Sequence, residues 1–333
     1  VMVEGQSYMF LTGPEVIRAV TGEEVNAEQL GGARMHISTS GLAHFVTQTE
    51  QNAISLARRL LGYLPSNHLE NPLLSAPGVE LPNAGEVLNN IVPLDPRQPY
   101  SMHAVIEHVV DAHSFLEVQE RFARNAIVGL ARLAGQPVGI VAQEPEMLAG
   151  ALDIDASDKI TRFVRFCDAF NIPLVTFVDT PGFLPGVDQE YHGIIRHGAK
   201  IVYAYSTATV PKLSIVTRKA YGGAYVVMSS KQLGADVTFA WPSAEIAVMG
   251  GEGAAAILYR KEIATAPDPK VARARYAEEY RERYLNPYTA AEGGFIDEVI
   301  EPRETRARLI GALIALRQKA IVPLARRHGN MPA

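Results

Sequence analysis

The sequence predicts an α/β fold built on a largely parallel sheet. Strand-like and helix-like segments alternate from residue 127 onward. One segment, Ile172–Val178, is a β-branched apolar run of the kind found in strands covered on both faces. Two glycine-rich stretches each leave a strand just before a helix.

The elements follow in order. Val1-Met2-Val3, the turn Gly5-Gln6-Ser7 and the apolar Tyr8-Met9-Phe10-Leu11 read as strand, turn, strand. Natural termini are usually loose before the first element, so the expectation is an opening in the middle of a fold. Thr12-Gly13-Pro14-Glu15 stops the second strand and starts a helix, with Pro14 suited to the first turn. A second helix is expected over residues 43–61, where Ala53, Ile54, Ala57, Leu60 and Leu61 keep helical spacing and Gly62 ends it. Residues 62–99 carry seven prolines and little periodicity, which suggests a long connection or linker. The domain boundary is placed near Asp95.

Ile127–Leu133 and Pro137–Ala142 read as paired strands around Gly135-Gln136. Ser157–Asn171 is an amphipathic helix with Ile160, Phe163, Val164 and Ala169 on one side. Gly193–Tyr205 and Gly223–Ser230 read as helices, and Lys212–Thr217, Ala235–Ala240 and Ile246–Met249 as strands. The charged stretch 262–285 reads as a solvated helix. An internal echo runs through the chain. Val1–Val3, Ser7, Met9–Leu11 and Gly13-Pro14-Glu15 are answered by Val237–Phe239, Ser243, Ile246–Val248 and Gly250-Gly251-Glu252. Ala27-Glu28 with Gly31-Gly32 is answered by Ala291-Glu292-Gly293-Gly294. Two similar halves are expected, the first without its front.

Composition narrows the function classes. With 333 residues and 47% of them hydrophobic, the chain can bury a sizeable core. A lone Cys167 excludes a disulfide framework and a cysteine-rich zinc site, and fits a reducing compartment. A net charge of −5 argues against a broad nucleic-acid surface. The apolar runs fall well short of the roughly 18 residues of a membrane span, and no secretory segment opens the chain.

Most motif-like features have plain readings. Gly251-Glu252-Gly253-Ala254-Ala255-Ala256 matches a dinucleotide pattern. The second strand ending in an acidic residue is replaced by Ala266-Pro267-Asp268-Pro269, so tight helix–strand packing is the better reading. In Gly193-x4-Gly198-Ala199-Lys200 the lysine comes one residue too late for a phosphate loop, which excludes ATP there. His192 and His197, and His108 and His113, are five apart, which does not place two ligands on one helical face. Asp111, Glu117 and Asp179 lack a partner pattern and read as surface or capping groups. No G-x-S-x-G elbow is present.

Two loops remain. Ile172–Val178 runs into Asp179-Thr180-Pro181-Gly182-Phe183-Leu184-Pro185-Gly186, and Lys212–Thr217 runs into Arg218-Lys219-Ala220-Tyr221-Gly222-Gly223-Ala224-Tyr225. Peptide N–H groups at such strand-to-helix turns point outward. Side by side they would make a two-donor oxyanion hole, and taken singly they are tight turns.

These same residues resemble the carboxyltransferase (β) subunits of biotin-dependent acyl-CoA carboxylases, such as propionyl-CoA carboxylase. The likeness rests on Asp153-Ile154-Asp155-Ala156-Ser157-Asp158-Lys159, Arg162-Phe163-Val164-Arg165-Phe166-Cys167-Asp168 and the two loops. It extends from Met9-Phe10-Leu11-Thr12-Gly13-Pro14-Glu15-Val16 through Leu30-Gly31-Gly32-Ala33 to His328-Gly329-Asn330-Met331-Pro332.

The resemblance implies a crotonase-like spiral of ββα units, with one partial and one complete domain. Residues 1–95 would be the tail of the N-domain plus linker, and 96–333 the C-domain. It implies transfer of CO2 from carboxybiotin to the α-carbon of an acyl-CoA, with biotin on a separate carrier protein and acting as the base. Neither metal nor ATP is implied in this subunit. Gly222, Gly223 and Ala224 would face the biotin ureido oxygen, and by analogy with crotonase geometry Gly182-Phe183 supplies a further donor. The implied partners are a biotin carboxylase and carrier subunit, and other copies of the chain as dimers assembled into a hexamer. The implied location is the cytoplasm or mitochondrial matrix. A decarboxylase subunit working the step in reverse, or a non-catalytic subunit of such a complex, are the alternatives. Propionyl-preferring members carry Asp where this chain has Val226, which suits a larger or more hydrophobic acyl group. The family's Asn-Gln-Pro is here Gln143-Glu144-Pro145.

Overall fold

The alternation expected from residue 127 builds one eight-stranded sheet between two helical layers. The computed structural model describes residues 1–93, 95, 97–321 and 329–332. His328 at the head of the closing motif lies outside them, as do Pro96 and Ala333 at the ends of the second expected domain.

The chain begins β1 (Met2–Val3), α1 (Pro14–Thr21), α2 (Ala27–Gly31), α3 (Ala33–Ser38), β2 (Val46–Thr47) and α4 (Glu50–Leu61). β1 and β2 pair in parallel, Met2 with Val46 and Val3 with Thr47. The second strand expected at Met9–Leu11 does not form. Only Tyr8 bridges, to Gly32, and residues 8–11 are exposed, so no ladder partner holds them extended. The helix expected over 43–61 begins at Glu50. Val46–Thr47 is drawn into pairing with β1, and Thr49 caps the helix by accepting the Asn52 N–H.

The proline-rich connection contains an unforeseen helix, α5 (Ala84–Ile91), whose buried Ala84 and Leu88 sit one turn apart. Two apolar positions in eight residues are too few to stand out as a period. α6 (Met102–Val109) follows. Then come β3 (Leu116–Val118), β4 (Ala126–Leu133), β5 (Gln136–Gln143), α7 (Ile154–Ala169), β6 (Leu174–Thr180), α8 (Val187–Tyr191), α9 (Ile194–Thr207), β7 (Lys212–Tyr221) and α10 (Gly222–Val227). The chain closes with β8 (Val237–Ala240), β9 (Glu245–Ala247), α11 (Gly251–Leu258), α12 (Arg260–Thr265), α13 (Pro269–Tyr284), α14 (Pro287–Glu292), β10 (Glu298–Val299) and α15 (Thr305–Ala315). The charged stretch is thus two helices, parted where Asp268 caps α13. Of α13 only Ala272 and Ala277 are buried, so its solvated character holds.

The sheet runs β10-β8-β7-β6-β5-β4-β3, with β9 also on β7. β3–β4 and β4–β5 are antiparallel, and every other pair is parallel. All seven residues of β6 are buried, as its apolar run requires. Side chains divide between the faces by the period of two. Val128 and Leu130 pack under α7 and α9 with Ile160, Val164, Ile201 and Tyr205. Ile127 and Ala131 pack on the other side with Ile106 of α6, Leu88 of α5 and Leu309 of α15.

The internal echo carries into topology. β8 pairs in parallel with β10, as β1 does with β2. Asn286 caps α14 as Asn26 caps α2, and α15 follows β10 as α4 follows β2.

The β4–β5 hairpin turns on Ala134 and Gly135, with φ of 50° and 81°, one residue earlier than expected because Gln136 already pairs with Leu133. A Cβ on Gly135 would lie 2.3 Å from the Ser75 carbonyl oxygen. Gly135→Ala should therefore lower the free energy of unfolding by about 2 kcal/mol, read from urea melts against the parent.

Candidate active site at the ends of two parallel strands

β6 and β7 are hydrogen-bonded neighbours and run the same way, so the two glycine-rich loops leave the sheet at one edge. After β6, Phe183 forms a parallel bridge with Leu152. The Leu152 N–H donates to Gly182 O at 3.1 Å and the Leu184 N–H to Leu152 O at 2.7 Å. Both bonds belong to Leu152, so the Phe183 N–H faces away from it. No acceptor takes the Phe183 N–H among the described residues. The Gly182 N–H meets Thr180 Oγ1 at 3.4 Å.

After β7, the chain turns straight into α10. Gly222 makes the corner with φ of 56°, and a Cβ there would meet Val248 O at 2.9 Å, so glycine is required twice over. Tyr221 is the N-cap and its side chain makes no capping bond, which leaves the first-turn N–H groups of Gly223 and Ala224 without a side-chain acceptor. Gly223 is exposed and Ala224 is buried.

The loops touch. A Cβ on Gly223 would be 3.9 Å from the edge of the Phe183 ring. That ring lies over Gly198 of α9, where a Cβ would come within 2.9 Å of it. Gly198, the second glycine of the false phosphate loop, therefore makes room for Phe183. Lys200 of the same stretch pairs with Asp158 at 2.9 Å. Val226 is half-buried, three residues past Gly223 and so on its side of α10. The candidate residues Gly182, Phe183, Gly222, Gly223, Ala224 and Val226 thus gather in one place.

Of the glycines of α11, Gly251 serves packing, with a difference from the expectation, while Gly253 is exposed. A Cβ on Gly251 would lie 2.7 Å from Ala277 O, so the close neighbour is helix α13 rather than a strand. Among the described residues no three His, Cys, Asp or Glu side chains cluster as metal ligands.

Beneath the loops lies a charge pair that sequence reading left unpaired. Asp179 and Arg218 are fully buried, and Arg218 Nε donates to Asp179 Oδ2 at 3.0 Å. Burial raises the Asp179 carboxyl above its usual range, with Arg218 opposing. The Arg218 guanidinium stands 4.7 Å from the centroid of the Tyr100 ring. Burial pushes the Tyr100 hydroxyl well up, and the nearby Asp179 adds to it. The sequence signal is charge at the end of each strand run, Asp179 after Val178 and Arg218-Lys219 after Thr217. Asp111 does act as a cap, accepting the N–H groups of Gly78, Ala134 and Gly135 and an ion pair from Arg306.

Glu117 and the departing Glu144 are both partners of His103, at 2.8 Å on either ring nitrogen. Glu117 and then Glu144 raise the His103 pKa to about 10.

The fold defines a crotonase-like protein whose two glycine-rich loops leave the sheet at one edge. The profile of the family described as carboxyl transferase domain matches residues 1–331, and the chain belongs to that family. The propionyl-CoA carboxylase carboxyltransferase subunit of Haloferax mediterranei is 57% identical over 331 residues, 99% of this chain and 64% of that protein. The methylmalonyl-CoA decarboxylase subunit alpha of Propionigenium modestum is 52% identical, again over 99% of this chain and 64% of that protein. The crystal structure of transcarboxylase 12S, solved as a hexamer with methylmalonyl-coenzyme A and methylmalonic acid bound, superposes with a TM-score of 0.95 at 50% identity. It is matched over 100% of this chain and 64% of its own. The chain thus spans about 64% of the length of the curated relatives it matches.

The raised His103 pKa makes a signed prediction. Against an ordinary value of 6.5, its stabilising charge is fully present below about pH 6.5 and is lost as pH rises toward 10. The side chain is 38% exposed, so screening leaves about 1 kcal/mol. His103→Gln should be less stable than the parent by that amount at pH 6 and nearly equal to it at pH 10, in denaturant melts at both values.

Proposed function

We propose that the chain is the carboxyltransferase component of a biotin-dependent acyl-CoA carboxylase, with the loop pair as the oxyanion hole of its C-domain. The observation that carries this is the meeting of Phe183 and Gly223 at the ends of two parallel strands, with the Phe183 N–H uncommitted among the described residues.

These donors fit a neutral carbonyl oxygen that gains negative charge during reaction. The Phe183, Gly223 and Ala224 N–H groups hold such an oxygen in place and stabilise charge on it without any ionisable side chain. Gly182 and Gly222 set the turns that aim them. Biotin, delivered on a carrier protein, supplies when bound the carboxyl group and a basic nitrogen for the acyl-CoA α-proton. Because the donors are fixed before reaction, no reorganisation is needed as charge develops. Val226 lines the acyl side, where its isopropyl group favours larger or more hydrophobic acyl chains.

The division into residues 1–95, the tail of an N-domain with its linker, and 96–333, the C-domain, is supported by the repeated parallel strand pairs and asparagine-capped helices. A biotin carboxylase with its carrier as partner, a hexamer of copies, and a cytoplasmic or matrix setting complete the reading. Among the described residues no helix is long and apolar enough to cross a membrane. A decarboxylase role is the second reading, favoured by the 52% identity to a methylmalonyl-CoA decarboxylase subunit. The same donors would serve the reverse direction, and the partner would then be a membrane sodium pump.

Two measurements on the full-length subunit in its complex test the proposal. Gly223→Pro removes one N–H at a first-turn position where proline is sterically tolerated, and should cut carboxyl transfer by about a hundredfold or more. Parent-like transfer would refute the oxyanion assignment. Val226→Asp should shift preference toward propionyl-CoA over long-chain acyl-CoA, and a parent that already prefers propionyl-CoA would overturn the pocket reading.

A further inference from the structure

We propose that the buried Asp179–Arg218 pair is a register-setting device that brings Gly223 opposite Phe183. The inference rests on the oxyanion reading of those two residues. From Leu174–Lys212 to Val178–Val216, β6 and β7 keep one register. The next pair is Thr180 with Ala220. One residue of β6, Asp179, therefore stands against three of β7, namely Thr217, Arg218 and Lys219. This is an enlarged bulge, of the kind that re-aims a strand end beside a site.

The bulge decides which residues meet. In the register set by Val178 and Val216, Phe183 would face Tyr221. Carried on past the last ladder pair, the register of Thr180 and Ala220 would set it against Gly223 instead. Two residues of strand amount to about 7 Å, more than a hydrogen bond can bridge. The 3.9 Å between a Cβ on Gly223 and the Phe183 ring agrees with the second register.

Asp179 supplies the bonds that the interrupted ladder lacks. Its Oδ2 accepts from Arg218 Nε at 3.0 Å and its Oδ1 from the Lys219 N–H at 3.1 Å. Its own N–H donates to Gln143 Oε1 at 3.1 Å. Thr217 Oγ1 donates to Val178 O at 3.2 Å and stands 2.9 Å from the Tyr100 hydroxyl. Arg218 Nη1 donates to Gln98 O at 2.8 Å, and Tyr100 covers the guanidinium. A buried ion pair is a poor source of net stability compared with an apolar pair of the same size, which directs its purpose toward geometry. Asp179 and Arg218 are positioning residues: they act through the N–H groups of Phe183 and Gly223.

The test uses the full-length subunit assembled with its biotin carboxylase and carrier, and whichever of acetyl-, propionyl- and palmitoyl-CoA the parent carboxylates fastest. Arg218→Ala should lower kcat about a hundredfold with KM for the acyl-CoA within about twofold, because a displacement of about 1 Å at the reacting groups has that effect. Millimolar guanidinium chloride, whose cation fits between Asp179 and the Tyr100 ring, should restore much of the kcat to this variant and none to Gly223→Pro. Parent-like kcat overturns the proposal. So does a loss that follows the folded fraction by circular dichroism and resists guanidinium. If Arg218→Ala does not fold, Arg218→Lys decides: a fall in kcat at unchanged KM supports the device, and parent-like kcat refutes it. An active parent with unaffected variants overturns this inference alone, whereas a parent that transfers no carboxyl group overturns the oxyanion reading and this inference with it.

Discussion

Parallel pairing of β6 with β7 is the constraint on which the rest of the structure depends. Parallel neighbours need a crossover, and here α8 and α9 provide it. The crossover puts both C-terminal strand ends at one edge of the sheet, and it covers one face of a pair whose residues are almost wholly buried. Helices α6 and α15 cover the other face. Once both faces are closed, the loops at that edge are left to carry chemistry.

An interior of this kind admits polar groups only when they are satisfied. Lys159 illustrates it. Its ammonium donates to the carbonyls of Gln119, Phe122, Ala123 and Ala126 at 2.7 to 3.4 Å, while burial pulls its pKa down to about 8. The segment it gathers contains left-handed Gln119 and Ala123, so a cation takes the place that regular structure would otherwise fill. Asp111 does the same for two N–H groups at the β4–β5 turn and for that of Gly78, and Asp179 for the broken β6–β7 ladder. Each charged group sits where the backbone departs from a regular element.

The candidate site was legible in the sequence to an unusual extent because it is made of main chain. Gly182, Gly222 and Gly223 leave a signature in residue type, since only certain residues make such turns. The β6 run announced its burial, and the repeated strand-and-glycine order reappears as the parallel pairs β1–β2 and β8–β10. What failed to show were elements defined by a neighbour. Met9–Leu11 has strand composition and no ladder partner, while Val46–Thr47 sits in a helical pattern and pairs with β1.

Local chemistry therefore settled the buried strands of the main sheet, the corners and the glycine loops: periodicity and turn preference act over a few residues and are written in the order of the chain. The tertiary structure alone decided which of these stand together. Asp179 and Arg218 are 39 residues apart, and Tyr100 and Thr217 are 117 apart. Nothing in a local pattern specifies such pairs, because a buried charge selects its partner by the low dielectric around it after the sheet has closed. The interruption of the β6–β7 ladder at Asp179 belongs to that second kind of information.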